Sequence, residues 1–423
     1  MRRHRPLDPD PIVQSPRARW AAWIVVFLLI GTSWACDPAP TDSLEQGLAS
    51  ADSLVALWVN EGRIPGAVLL VARYGAVRHR AAYGLASAVD SVQMSPLTVF
   101  DLASVTKVMA TTFALMVLSE HGRVDVEAPV STYLPEFRGD GRDDVTVRHL
   151  LTHRSGLPQW VPTYYHASDR DEAYDYIRSL PLTWRVGEER HYSDLGFMLL
   201  GRLVEEVSGQ TLDAFVRAQI YAPLGLGETR FRPLDEGGAS AGAASEEGPV
   251  FARTSRGNPF EQRMVHDPDF GYRIAGDPNS WSEWRTDWLN GEVNDGNAFH
   301  AFRGVAGHAG LFSTADDLGV LLHVMLNGGE HAGVRLLSPE TVAAFLEPTG
   351  DRQALGWQLP GYGPGSAFGH TGFTGTFVLG VQAEGLALVL LTNRQNFGVD
   401  EESQYPDVGP LQRAVTAAVT GID

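Results

Sequence analysis

The stretch "SVTKVMATTFALMVLSEHG", residues 104–122, contains the only lysine of the chain, Lys107. The remaining residues among the 33 Lys and Arg are all arginine. Its apolar residues recur at helical spacing from Val105 to Leu118. The pattern predicts a helix with Ser104 and Lys107 in its first turn. Residues three apart lie on one helical face, so their side chains are expected to meet, where the helix N-terminus favours negative charge.

A lysine three residues after a serine is typical of a nucleophile beside a proton acceptor. The guanidinium of arginine stays protonated in proteins, whereas a buried ammonium can lose its proton. Lysine can therefore stand beside Ser104 and still act as a base, which arginine cannot. The alternative is an ordinary surface lysine that follows a serine by chance, and the pair alone does not separate the two.

The composition favours one large domain or two, because the chain has 423 residues, of which 44% are hydrophobic. The formal net charge of −18 argues against nucleic acid and against an anionic lipid surface as partners. A single cysteine, Cys36, allows no disulfide within the chain.

Residues 1–36 are typical of an export leader. Arginines precede the apolar run "AAWIVVFLLIGTSWAC", which is shorter than a comfortable membrane-spanning helix. Its end, "SWAC", resembles a bacterial lipoprotein signal in which the cysteine, here Cys36, becomes the lipidated first residue. Plain cleavage and an uncleaved anchor are the alternatives. We expect a tether at 37–44, a folded domain at 45–423, and a membrane-anchored protein of the bacterial cell envelope that faces the periplasm.

Strand patterns occur near both ends of the folded domain. Residues 66–84 and 375–394 each predict a hairpin, with turns near Tyr74–Gly75 and Glu384–Gly385. Helical spacing at 43–61 and 409–420 brackets these hairpins.

The middle of the chain, about 123–350, is typical of helices joined by long loops, and 235–300 has little periodicity. We therefore predict an α+β fold with one antiparallel sheet, flanked by helices, from the N- and C-terminal strands. The sheet part would comprise about 45–122 and 351–423, with a large, mainly helical insertion between them.

Three motifs follow one another along the chain: "SVTK" at 104–107, "HYSD" at 191–194 and "FGHTGFTGT" at 368–376. Their order resembles the serine β-lactamase and penicillin-binding-protein superfamily, in which the pattern is S-x-x-K, Y-x-N, then K-T-G or H-x-G. It looks closest to the branch of class C β-lactamases, D-alanyl-D-alanine carboxypeptidases and esterases. The resemblance covers about 45–420 and implies the β-lactamase/DD-peptidase-like fold.

The resemblance implies acyl transfer, with Ser104 Oγ as the nucleophile that attacks a carbonyl carbon. Lys107, if neutral, or Tyr192, if its pKa is lowered, would take the hydroxyl proton, and the residues leave both open. The backbone N–H groups of Ser104 and Phe373 would hold the oxyanion. The other implied substrate-binding residues are His370, Thr371, Gly372 and Asp194.

Two of these residues depart from the family pattern. His370 stands where β-lactamases have lysine, and an imidazole that is mostly neutral at pH 7 is a weaker clamp for a substrate carboxylate. Asp194 stands where the family has asparagine. An ionised Asp194 would favour the charged form of Lys107, which is the wrong direction for a base. It either carries a proton or mainly holds Lys107 in place.

No metal or cofactor is expected. His149 and His153 are spaced like a metal-binding pair, but no acidic third ligand accompanies them. We interpret His308 as a structural residue and the tryptophans of 281–288 as packing residues.

We expect a serine hydrolase that forms an acyl-enzyme with an ester, an amide or a D-amino-acid peptide of cell-wall type. A β-lactamase is the alternative within this class. A non-catalytic sensor that is acylated once, or an envelope scaffold, is the alternative outside it. The sequence leaves the oligomeric state open.

Overall fold

The protein is described here by a computed structural model that covers residues 40–235, 248–270 and 276–422. The leader, Cys36 and residues 37–39 lie outside the described residues. The first helix begins at Pro40, within the segment predicted to be a tether.

Ten α-helices lie in the described ranges: α1 Pro40–Asn60, α2 Phe113–Glu120, α3 Val147–Leu151, α4 Arg170–Ser179, α5 Asp194–Ser208, α6 Leu212–Val216, α7 Pro259–His266, α8 Ala315–Leu326, α9 Pro339–Leu346 and α10 Gly409–Thr420. The strands there are β1 Gly66–Arg73, β2 Ala76–Ser87, β3 Val92–Gln93, β4 Phe100–Asp101, β5 Arg230–Phe231, β6 Leu311–Ser313, β7 Glu330–His331, β8 Val334–Arg335, β9 Ala367–Thr371, β10 Thr376–Val381 and β11 Leu386–Thr392.

Strands from both ends of the chain form one six-stranded sheet in the order β3-β2-β1-β11-β10-β9. All adjacent strands of this sheet are antiparallel to each other, and at the centre of the sheet Leu70 of β1 lies opposite Val389 of β11. The β1–β2 turn has Tyr74 and Gly75 at φ 50° and 76°, and the β10–β11 turn ends at Gly385 with φ 56°. The predicted α+β fold, with one antiparallel sheet from both ends of the chain, is confirmed.

Both faces of the sheet are covered, because successive side chains of a strand point to opposite faces. Val68 and Leu70 of β1 pack into the core shared with the helical part of the chain. Ala67 and Leu69 pack into a second core together with α1 and α10. Burial on both faces explains why β1 reads as a continuous apolar run rather than an alternating one.

The helical part differs from the prediction in two respects. A three-stranded sheet, β4-β6-β5, and the β7–β8 hairpin lie within or beside it. Strands of two or three residues leave no period in a sequence, so they could not be predicted. In addition, α8 packs on β1, β10 and β11, so it belongs with the sheet although it lies within 123–350.

The segment that contains Ser104 and Lys107 is helical but not uniformly α-helical. It forms a 3₁₀ turn at Ala103–Val105, a π-helical segment at Lys107–Thr112 and then α2. Wider π turns are rare and are found frequently at functional sites. Among the described residues, no helix combines the length and the apolar character needed to cross a membrane.

The contact between α1 and α10 gives a test of the fold. A Cβ at Gly47 of α1 would lie 2.2 Å from the carbonyl oxygen of Ala418 in α10. Because overpacking costs about 1 to 3 kcal/mol, we expect Gly47→Val to lower the free energy of unfolding by about 2 kcal/mol in urea titrations. The control is Gly227→Val, since a Cβ at Gly227 meets nothing within 4 Å. Equal stability of the two variants would contradict the helix contact.

Candidate active site

Ser104 lies on a strained turn and lines a cavity of about 540 Å³. The preceding residue, Ala103, has φ 44°, in the left-handed region that disfavours alanine. Asp101 holds this turn, since its Oδ1 accepts the N–H of Ala103 at 2.9 Å and its Oδ2 accepts that of Asn294 at 2.6 Å. A strained backbone that its surroundings maintain points to a functional position.

The side chain of Lys107 is fully buried, and its ammonium has three polar partners. Nζ donates to Ser104 Oγ at 2.8 Å and to the carbonyl of His308 at 3.3 Å, and it forms an ion pair with Asp194 Oδ1 at 2.7 Å. The buried ammonium is therefore both hydrogen-bonded and paired with a carboxylate. The structure therefore brings together the serine and lysine of the first motif and the aspartate of the second.

Tyr192 completes this group. Its phenol lies close enough to Ser104 and Lys107 for both to influence its pKa, and Lys107 Nζ lies 4.9 Å from the centre of its ring. The imidazoles of His153 and His370 pack near the ring, with centroid distances of 4.4 Å and 6.1 Å. The hydroxyl is thereby held beside the nucleophile.

The protonation states of these groups follow from their mutual contacts. Burial acts to lower the pKa of Lys107, but Asp194 and Tyr192 outweigh it, so this pKa lies above its ordinary value. Burial, aided by Asp194, raises the pKa of Tyr192 although Lys107 opposes the shift. At neutral pH the free protein therefore holds a lysine ammonium and a neutral phenol, and neither is yet a base.

His153 has a structural role that the sequence did not indicate. Its Nδ1 accepts the backbone N–H of Ser193 at 3.0 Å, and Ser193 Oγ caps α5 by accepting the N–H of Gly196. Burial lowers the pKa of His153 well below its ordinary value, so it is a neutral acceptor. It fixes the segment that carries Tyr192 and Asp194.

His149, the other half of the apparent metal pair, completes a capping box with Thr146 at the start of α3. Its pKa is lowered, chiefly by burial. No group of three or more His, Cys, Asp or Glu side chains suited to a metal ion occurs in the described part of the chain.

The third motif brings the end of β9 against the Ser104 turn. Thr371, Gly372 and Phe373 line the cavity. A Cβ at Gly372 would lie 2.4 Å from the carbonyl oxygen of Leu102, so only glycine allows this close approach.

Arg394 holds the Phe373 peptide. Its Nε and Nη2 donate to the carbonyl of Phe373 at 3.0 Å and 2.7 Å, and its Nη1 donates to the carbonyl of Pro406 at 2.9 Å. Phe373 lies outside the helices and strands, and within residues 40–235, 248–270 and 276–422 no backbone carbonyl accepts its N–H.

His370 lies behind the lining of the cavity. It is buried, it is not among the residues that line the cavity, and its Nδ1 lies 2.7 Å from the carbonyl oxygen of Thr371. Burial and the nearby Lys107 lower its pKa to about 3, so it is neutral at pH 7. It supports the Tyr192 ring rather than facing a substrate carboxylate.

Two carboxylates that the sequence did not indicate line the same cavity, Glu261 of α7 and Asp295. Both lie within 235–300, where weak periodicity left no motif to identify them. In the same region Trp281 and Trp284 pack against Tyr164, with ring centroids 4.7 Å and 6.1 Å away.

The single lysine makes its charge state directly measurable. With [ε-¹³C]lysine the protein should give one NMR signal, from Lys107, whose titration midpoint lies above the ordinary value of about 10.4. Because Asp194 raises this pKa, Asp194→Asn should lower the midpoint. Asp213→Asn, at a half-buried position on α6, should leave it unchanged. A wild-type midpoint below the ordinary value would contradict this electrostatic description.

Comparisons with known proteins extend over nearly all of the described chain. The β-lactamase family model matches residues 42–409. The N-acetylmuramyl-L-alanine amidase of Bacillus subtilis (strain 168) is 36% identical over 393 residues, covering 85% of this chain and 84% of that protein. A protein of Escherichia coli (strain K12), named "Putative D-alanyl-D-alanine carboxypeptidase", is 31% identical over 376 residues, covering 81% of this chain and 82% of that protein.

Solved structures share the fold at lower identity. A family VIII carboxylesterase superposes with a TM-score of 0.65 at 20% identity, covering 88% of this chain and 96% of that one. A class C β-lactamase from Rhodobacter sphaeroides superposes with a TM-score of 0.60 at 23% identity, covering 88% of this chain and 98% of that one. The solved structures show the shared fold, whereas the family model and the curated relatives show that the chain is a serine hydrolase and belongs to the β-lactamase family.

Proposed function

We propose that the protein hydrolyses an amide bond in a cell-wall fragment through an acyl-enzyme on Ser104. The observation that carries this proposal is the 2.8 Å contact between Ser104 Oγ and Lys107 Nζ at a cavity of about 540 Å³. A nucleophile within hydrogen-bond reach of a titratable partner, itself oriented by a third group, is the arrangement that acyl transfer needs.

Lys107 and Tyr192 act as one proton-accepting unit. Lys107 donates to Ser104 Oγ, and Tyr192 lies close enough to both residues to be coupled to them electrostatically, so a proton lost from either Lys107 or Tyr192 is shared between the two. Once this pair has lost a proton it accepts the hydroxyl proton of Ser104, and Oγ attacks the carbonyl carbon. The N–H groups of Ser104 and Phe373 then stabilise the tetrahedral oxyanion.

The charges of the cavity favour an amide substrate that needs no clamp on a terminal carboxylate over a peptide whose terminal carboxylate must be bound. Arg394 is the one arginine or lysine among the described cavity-lining residues, and its guanidinium already donates to two backbone carbonyls. His370 is neutral and buried. The similarity to an N-acetylmuramyl-L-alanine amidase, at 36% identity, supports an amide substrate independently.

Ser104→Ala tests the reaction. Wild type should hydrolyse the lactyl–alanine bond of N-acetylmuramyl-L-alanine whose alanine carboxylate is blocked as an amide faster than an N-acyl-D-alanyl-D-alanine peptide with a free carboxylate, and Ser104→Ala should lower kcat/KM by about a thousandfold or more because the nucleophile is lost. The exposed Ser50→Ala, on α1, is the matched control. Intact-mass measurement during turnover should detect an acyl adduct in wild type only.

Other outcomes point to other functions. Faster cleavage of the D-alanyl peptide would make the protein a carboxypeptidase, and rapid consumption of a penicillin would make it a β-lactamase. An adduct that forms once without turnover would indicate a sensor. Activity that survives in Ser104→Ala would refute the mechanism.

We also propose that Cys36, which lies outside the described residues, anchors the exported protein to a membrane of the cell envelope. The arginines, the apolar run and the terminal "SWAC" of the leader support this. Wild type should be recovered in the membrane fraction of a bacterial host, whereas Cys36→Ser should lose the lipid mass. Equal masses and equal fractionation of the two proteins would refute the anchor.

A further inference from the structure

Glu261 and Asp295 line the cavity that contains Ser104, and the mechanism above uses neither of them. Glu261 projects from α7, and its side chain is 8% exposed. Asp295 lies just before the π-helical segment Asn297–Ala301. Carboxylates that line the same cavity as a nucleophile are candidates for proton transfer to or from a substrate bound there.

The position of Glu261 is fixed by two hydrogen bonds. Its Oε1 accepts the N–H of Gly296 at 2.8 Å, and its Oε2 lies 3.1 Å from the hydroxyl of Tyr164. Gly296 directly follows Asp295, so the two carboxylates are neighbours. A Cβ at Gly296 would lie 2.1 Å from Glu261 Oε2, so no larger residue fits beside this carboxyl.

Asp295 is held in its ionised form by its own partners. Its Oδ1 lies 3.0 Å from His308 Nε2 and accepts the N–H of Ala298 at 2.8 Å. Burial acts to raise the pKa of Asp295, but His308 and this N–H outweigh it and lower the pKa.

Glu261 is held in its protonated form. Burial and the charge of Asp295 raise its pKa to about 8, although the N–H of Gly296, the charge of Arg285 and the hydroxyl of Tyr164 oppose the shift. Of the two neighbouring carboxyls, one therefore carries a proton at neutral pH, as is expected where like charges share a buried site.

We propose that Glu261 is the general acid that protonates the departing nitrogen of the substrate amide, with Asp295 as the positioning residue that keeps the proton there. This inference rests on the proposed function, because an amine leaves an acyl centre only when it gains a proton. A phenolate with electron-withdrawing groups leaves without one, so an activated ester does not need Glu261.

The proton balance closes over the two steps. In acylation the bond from Ser104 Oγ to carbon forms and the carbon–nitrogen bond breaks. The serine proton passes to the Lys107–Tyr192 pair, and the nitrogen takes the proton of Glu261. In deacylation the bond from water oxygen to carbon forms and the bond to Oγ breaks. Oγ then regains the proton from the Lys107–Tyr192 pair, and a proton of the water returns to Glu261.

The first test compares an amide with an activated ester. We expect Glu261→Gln to lower kcat/KM for the same blocked N-acetylmuramyl-L-alanine about 100-fold more than kcat/KM for p-nitrophenyl acetate. Glutamine can still accept the Gly296 N–H, which keeps the local structure. The exposed Glu340→Gln, on α9, is the matched control and should leave the ratio of the two constants unchanged.

The second test is the pH dependence of that ratio. In wild type the amide-to-ester ratio should fall as pH rises through about 8, where Glu261 loses its proton. Glu261→Gln should give a low ratio that does not vary with pH. Asp295→Asn removes the charge that raises the pKa of Glu261, so the fall should move to lower pH. This shift is measurable even if Glu261→Gln does not fold.

Equal losses of amide and ester activity in Glu261→Gln, or a fall near pH 8 that persists in this variant, would overturn the role of Glu261. Either result would leave the dependence on Ser104 intact. Wild type that cleaves no amide, or amide cleavage that survives Ser104→Ala, would instead overturn the proposed function and this inference with it.

Discussion

The burial of one ammonium group, that of Lys107, is the constraint on which the site depends. A charge removed from water is tolerated only when it is paired and hydrogen-bonded, and removing one partner of a buried ion pair costs about 3 to 5 kcal/mol. The partners of Lys107 come from three separate segments: Ser104 from its own helix, Asp194 from the start of α5, and the carbonyl of His308 from the loop before β6. Folding the chain around this ammonium therefore assembles the nucleophile, the second motif and one side of the cavity together.

Much of the fold could be predicted because it rests on long periodic segments. The two hairpins and the terminal helices carry clear periods, and the turns at Tyr74–Gly75 and Glu384–Gly385 are marked by glycine. The short strands β4, β5 and β6 and the π-helical turn after Lys107 leave no such pattern, since their geometry depends on tertiary contacts. The meeting of Ser104 and Lys107 follows from their helical spacing, whereas the convergence of Tyr192 with them could be predicted only by resemblance to a family, because Tyr192 lies in a distant segment.

The burial of His370 behind the cavity has a physical reason in the alternation of side chains along a strand. Neighbouring residues of a strand point to opposite faces, so His370 and Thr371 of β9 cannot both face the cavity. Thr371 lines the cavity and His370 is buried behind it. Glu261 and Asp295 could not have been predicted in the same way, because each lies in a region without a period, and their partnership is created by packing.

The site contains two groups whose pKa values are raised by a neighbouring carboxylate, one proposed as a base and the other as an acid. Asp194 raises the pKa of Lys107 and so keeps the future base protonated, whereas Asp295 raises the pKa of Glu261 and so keeps the proposed acid protonated. The resting protein is thus prepared to donate a proton to a leaving group but must lose one before it can activate Ser104. In the proposed mechanism, catalysis then needs only the loss of that single proton from the Lys107–Tyr192 pair, because the proposed acid already carries its proton. An arginine at position 107 would make that loss impossible, so the proposed mechanism requires a lysine at this position.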